Sequence, residues 1–136
     1  MVKGILADHD VRGQFDFLVA QARAEPWSEF WNELRLILLH FEDVGLLNTA
    51  SDYDIWHLGQ KEQLVLVTGN RNLDAPDSLE ATIRQWGTPD SLPVFTIADL
   101  ERLNRSRSYT QQIVVTMLSY LLRIEELRGT GRLWLP

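Results

Sequence analysis

Gly4-Ile5-Leu6-Ala7-Asp8-His9-Asp10-Val11 decides how the rest of the chain is read. A short apolar run, suited to one buried strand, stops at two carboxylates. Behind it Phe15, Leu18, Val19 and Ala22 recur at helical spacing, so a strand over Lys3–Ala7 gives way to a helix that Glu25-Pro26 ends. The acids lie at the turn between the two.

The alternation then repeats. Trp27 to Leu34 has Phe30, Trp31 and Leu34 on one helical face, and Leu36–Phe41 is a continuous apolar run, as in a strand covered on both faces. Ser51, with Asp54 three residues on, predicts an N-cap for a helix reaching Glu62. Leu64-Val65-Leu66-Val67-Thr68 is the clearest strand. Asp77-Ser78-Leu79-Glu80 has capping-box spacing and opens a helix that stops at Gly87; Val94–Ile97 is a fourth strand, followed by a helical turn or two over Asp99–Leu103. Ser108 starts the longest helix, whose apolar stripe runs from Ile113 to Leu127 before Gly129. The tail Leu133-Trp134-Leu135-Pro136 is apolar enough to dock.

Strands alternating with helices imply a parallel sheet with helices on both faces. The expected architecture is α/β: a three-layer α/β/α sandwich on a four-stranded parallel sheet of order 2-1-3-4, one domain over residues 1–136 with a helical C-terminal extension from about 106. Right-handed crossovers bring Asp8, Asp10, Glu42, Asp43, Asp52, Asp54, Asn70 and Asp99 to the carboxyl edge of that sheet, where ligand sites of open α/β sheets lie.

The chain has 136 residues, 45% hydrophobic and 24% charged, enough for a real core. It has no cysteine, which excludes disulfides and thiolate metal sites and fits a reducing, cytoplasmic setting. No apolar run approaches a membrane span, and Met1-Val2-Lys3-Gly4 lacks signal organisation. A formal charge of −6 argues against sequence-independent DNA binding. Eleven of the thirteen basic residues are nonetheless Arg, and Arg123, Arg128 and Arg132 are placed to guide phosphate.

Clustered carboxylates repel unless a cation or proton intervenes. Mg²⁺ takes one or two carboxylates, keeps water in its other positions, and can activate a water against a phosphodiester. Helix capping is the plain alternative for Asp10, Asp52 and Asp54; Asp8, directly after a buried strand, is harder to explain that way. Walker A, dinucleotide and acyl-transfer motifs are missing. His40 reads as a packed histidine, His57 as too deep in its helix to be an obvious ligand, and His9 as an accessory group. The five Trp read mostly as core.

Ile5-Leu6-Ala7-Asp8-His9-Asp10-Val11 resembles the opening of PIN-like domains, a strand ending in Asp-x-Asn/Asp. Ser51-Asp52-x-x-Ile55, followed sixteen residues after Asp52 by Thr68-Gly69-Asn70, resembles their second half. Phe41-Glu42-Asp43-Val44-Gly45-Leu46 is similar to the preceding segment in a compact PIN-like group catalogued as a domain of unknown function (the 5615 family). The resemblance implies Mg²⁺- or Mn²⁺-dependent cleavage of RNA, often by a toxin paired with an antitoxin protein. Asp8 and Asp52 match metal-binding acids, Asp10 and Asn70 match supporting polar positions of the catalytic site, and Glu42 or Asp43 stands nearest the central acid of larger relatives. Asn70 and Asn72 stand where many relatives carry acids. The alternatives are a PIN-like module without catalysis that binds RNA or a protein, and a phospho-accepting receiver domain, which Lys3 and Lys61 are poorly placed to serve. The apolar breadth of the helix over Tyr109–Arg128 predicts a homodimer through it.

Overall fold

A computed structural model describes residues 1–69 and 78–136. Its strands are β1 (Gly4–Ala7), β2 (Ile37–Leu39), β3 (Leu64–Thr68), β4 (Val94–Ile97) and β5 (Arg132–Leu135). Its helices are α1 (Arg12–Arg23), α2 (Ser28–Leu34), α3 (Asp52–Glu62), α4 (Leu79–Trp86), α5 (Leu100–Arg105) and α6 (Arg107–Leu122). Short 3-10 turns cover His9–Val11, Phe41–Val44 and Ile124–Leu127.

All strand pairs are parallel, in the order β2-β1-β3-β4-β5. The expected order of the first four strands holds, but the sheet has five. The apolar tail supplies the fifth, with Val94, Phe95, Thr96 and Ile97 in register with Arg132, Leu133, Trp134 and Leu135. Strand side chains alternate between faces. Leu135 is therefore fully buried on one side, while Arg132 and Trp134 face the other.

The two faces carry different cores. Ile5, Ala7, Val65, Val67, Phe95 and Ile97 pack under α1, α2, α5 and α6. Leu6, Leu64, Leu66 and Val94 pack under Ile55 and Trp56 of α3 and Leu79 of α4. β2 departs from the expected strand buried on both faces. It is a three-residue edge strand whose Ile37 is 54% exposed, because nothing described pairs beyond it and edge strands are kept short. His40, just after it, is half-buried rather than packed in apolar surroundings: Nε2 lies 2.8 Å from Asp16 Oδ1, and the edge of its ring meets Phe15.

The long C-terminal helix also differs from expectation. Ser106, not Ser108, caps α6, its Oγ accepting from Tyr109 N–H at 3.2 Å. The helix ends at Leu122; Arg123 leaves helical geometry (φ −115°, ψ 21°), and the apolar pattern continues into a tighter 3-10 turn that buries Ile124. Ile113, Val114, Met117, Leu118 and Leu121 are buried within the chain's own core, leaving Val115 and Leu122 half exposed.

Candidate functional site

β1 lies between β2 and β3, so the chain leaves β1 in one direction for β2 and crosses back for β3, β4 and β5. The connections diverge at the β1/β3 boundary, and at such a switch point a crevice opens beyond the carboxyl ends of the strands. Asp8 and Thr68 stand there.

Asp8 continues the ladder past β1, donating its N–H to Val67 O at 2.9 Å, and its side chain is held from two sides. Thr68 donates its hydroxyl to Oδ2 at 2.7 Å, and Asp10 N–H reaches Oδ1 at a long 3.4 Å. Thr68 is fully buried and Asp8 only 8% exposed. Burial pushes the Asp8 carboxyl above the usual carboxylate range, the Thr68 and Asp10 hydrogen bonds pull it back, and the nearby charges of Asp10 and Asp52 push it up again. Asp52 comes from the first turn of α3, whose N-cap Ser51 accepts from Asp54 N–H at 3.1 Å. The structure thus brings Asp8, Asp10 and Asp52 into one electrostatic neighbourhood.

Asp43 is differently engaged. Its Oδ2 accepts from His40 N–H at 2.8 Å, closing the turn after β2, and lies 3.8 Å from His40 Nδ1. Glu42 is paired with Arg12 at 2.6 Å, and its carboxyl is held below the usual range, chiefly by backbone hydrogen bonding and then by Arg12. Asp54 stands exposed in the first turn of α3, and Asp99 caps α5 by accepting from Arg102 N–H. Asn70, the other expected site residue, lies outside the described residues.

Sequence reasoning missed the polar row beside Asp8. Thr68, which ends β3, and Thr96, one residue before the end of β4, pair in register and are both fully buried. Arg132, its side chain 7% exposed, donates from Nη1 to Thr96 Oγ1 at 2.5 Å and pairs through Nε with Glu80 of α4 at 3.1 Å. The clue available in sequence was a single threonine in each of two otherwise apolar strands, Leu64–Thr68 and Val94–Ile97. Gly69 follows Thr68 for a steric reason: a Cβ there would meet Leu100 Cδ1 at 2.6 Å and Val11 Cγ1 at 3.1 Å.

The arginines expected to guide phosphate have carboxylate partners. Arg123 pairs with Glu126 at 3.1 Å. Arg128 grips both oxygens of Glu125, at 2.8 and 3.2 Å, and also donates to Asp90 O and Gln63 Oε1, so it staples the turn before β5 onto the body.

The donor set suits a hard cation. Mg²⁺ needs only one or two carboxylates, and a buried Asp8 whose charge is opposed by Asp10 and Asp52 is the environment a cation relieves. Among the described residues no three His, Asp or Glu side chains converge as a closed cage. No described helix is long and apolar enough to cross a membrane. Compared with known proteins, the chain matches no family model, no curated protein and no solved structure.

Proposed function

We propose that this protein is a PIN-like ribonuclease that hydrolyses phosphodiester bonds of single-stranded RNA with Mg²⁺ or Mn²⁺. The observation that carries the reading is Asp8: a carboxylate buried at the sheet's switch point, held by Thr68, and driven towards protonation by burial and by Asp10 and Asp52. A fold with no use for that charge would replace it with a neutral residue, since uncompensated buried charge is costly.

In this reading Asp8 and Asp52 hold the cation, with Asp10 and Asn70 as supporting polar groups. The bound ion supplies charge compensation and water activation at the phosphodiester. Thr68 fixes the Asp8 carboxylate through Oδ2, which among the described residues leaves Oδ1 with the long contact from Asp10 N–H. Asp43 spends one carboxylate oxygen on His40 N–H in the turn after β2. A toxin-like role with an antitoxin-like protein partner belongs to the same proposal. Phospho-acceptance is disfavoured, since β3 ends in Thr68 rather than an acid.

The second reading is a PIN-like module that binds RNA or protein without catalysis. Titration with MgCl₂ or MnCl₂ separates the two. The ribonuclease reading expects millimolar metal to raise the melting temperature by a few degrees, about what binding at several times Kd gives. It also expects metal-dependent cleavage of a labelled single-stranded RNA that EDTA stops. Absence of both effects decides for the binding module.

A further inference from the structure

The charge pattern creates a difficulty for any RNA-handling reading. The chain carries −6, and Arg12, Arg105, Arg123, Arg128 and Arg132 each face a carboxylate within 4.0 Å. Affinity that rests on the phosphate backbone requires basic surface. With a net charge of that sign, base stacking on aromatic rings is a means of holding nucleic acid that needs no basic surface.

We propose that Tyr53 and Trp86 form a stacking platform for the bases of single-stranded RNA beside the acidic crevice, an inference that rests on the ribonuclease reading for the identity of its ligand. Tyr53 directly follows Asp52 in the first turn of α3, and Trp86 ends α4. The two residues are 46% and 44% exposed, with ring centroids 5.8 Å apart at 83°. His57 lies behind them, 4.0 Å from Tyr53 and 5.4 Å from Trp86, and Trp56 closes the cluster from the core side at 4.9 Å from His57. His57 Nε2 is buried with no hydrogen-bond partner among the described residues. That imidazole acts as a ring wedge which fixes the two outer rings.

An aromatic cluster between two helices has a plain structural use, since it packs α3 on α4. That use explains Trp56, which is 4% exposed. It leaves unexplained why Tyr53, next in sequence to Asp52, and its neighbour Trp86 keep nearly half their area in water. A rigid, half-open ring pair next to a phosphodiester-cleaving site would hold the base flanking the scissile bond and so present its phosphate to Asp8. Every base has a π-face, so such a platform is tolerant of sequence.

The test compares binding of fluorescein-labelled oligouridylate with that of an abasic ribose-phosphate strand of equal length, by anisotropy in EDTA. The platform requires the base-bearing strand to bind about tenfold more tightly. Tyr53→Leu and Trp86→Leu, which keep apolar volume but remove the π-face, should erase that preference, and Trp86→Phe should retain most of it. Equal binding of the two strands by the wild type, or an unchanged preference in both Leu variants, overturns the platform. The nuclease reading fails separately. Cleavage without a base preference removes the platform and keeps the ribonuclease; a base preference without cleavage does the reverse.

Discussion

Asp8→Asn is expected to abolish metal-dependent RNA cleavage and, at neutral pH, to make the protein more stable. Both effects have one cause. The wild-type carboxyl has its pKa raised by burial and by the charges of Asp10 and Asp52. A raised carboxyl favours the folded state while protonated, below its ordinary value of roughly 4, and that benefit is lost as pH climbs through the folded value. At pH 7 the ionised group therefore weighs against the fold. Asparagine keeps the volume, and its Oδ1 can still accept the Thr68 hydroxyl, but it carries no charge. A gain of about 1 kcal/mol, or ~3 °C in melting temperature, is the expected size, shrinking as pH falls towards ~4. Thermal denaturation of both proteins at pH 7 and pH 4, beside a cleavage assay, checks this. A variant that still cleaves RNA removes Asp8 from the site, and one less stable than wild type at pH 7 removes the charge argument.

Gly4→Ala and Gly13→Ala should have opposite signs. At Gly4 an added Cβ would meet Ile37 O at 2.3 Å and Ile37 Cγ1 at 2.6 Å, so β1 and β2 must separate. The nearest atom is backbone in a paired strand and cannot swing away. The cost should reach about 2–4 kcal/mol, the range of overpacking plus lost pairing. At Gly13 in α1 a Cβ meets nothing within 4 Å, and alanine there should stabilise by roughly 0.5 kcal/mol through a less flexible unfolded chain. Urea denaturation of the two variants decides it. A neutral Gly4→Ala would mean that β2 is only loosely paired.

The strand order of β1 to β4 was legible because each strand is an unmixed apolar run between helical periods, and parallel topology then leaves few choices. β5 was harder to read. Leu133 and Leu135 alternate with Arg132 and Trp134 as a strand should, but four residues after Gly129-Thr130-Gly131 look the same whether they pair or merely dock. The end of α6 was misplaced for a related reason: apolar residues continue through Ile124 and Leu127, and periods of 3.6 and 3.0 differ too little over one turn to be separated. In the site, Asp8 and Asp52 were legible as the residues ending a strand and opening a helix. Thr96, Glu80 and the buried guanidinium of Arg132 were not, because a partner on α4 becomes visible only once α4 is laid over β5. Charge patterning made Arg123, Arg128 and Arg132 look available to phosphate, and local or tertiary carboxylates claim each of them.

The two faces of the sheet also differ in how easily they come apart. On one face four helices close over a continuous core from Phe15 to Leu121. On the other, among the described residues, α3 and α4 rest on a smaller cluster around Leu6, Leu66, Ile55, Trp56 and Leu79. Cooperative units with less buried apolar area open at lower free energy than the whole molecule. Amide protons of α3 should thus exchange with solvent through excursions that leave β1 and α6 intact. Asp52 rides on that looser layer and Asp8 on the firmer one. An ion held between them would act as a clasp, and its affinity would be recorded as slower exchange in α3 rather than as a change of shape.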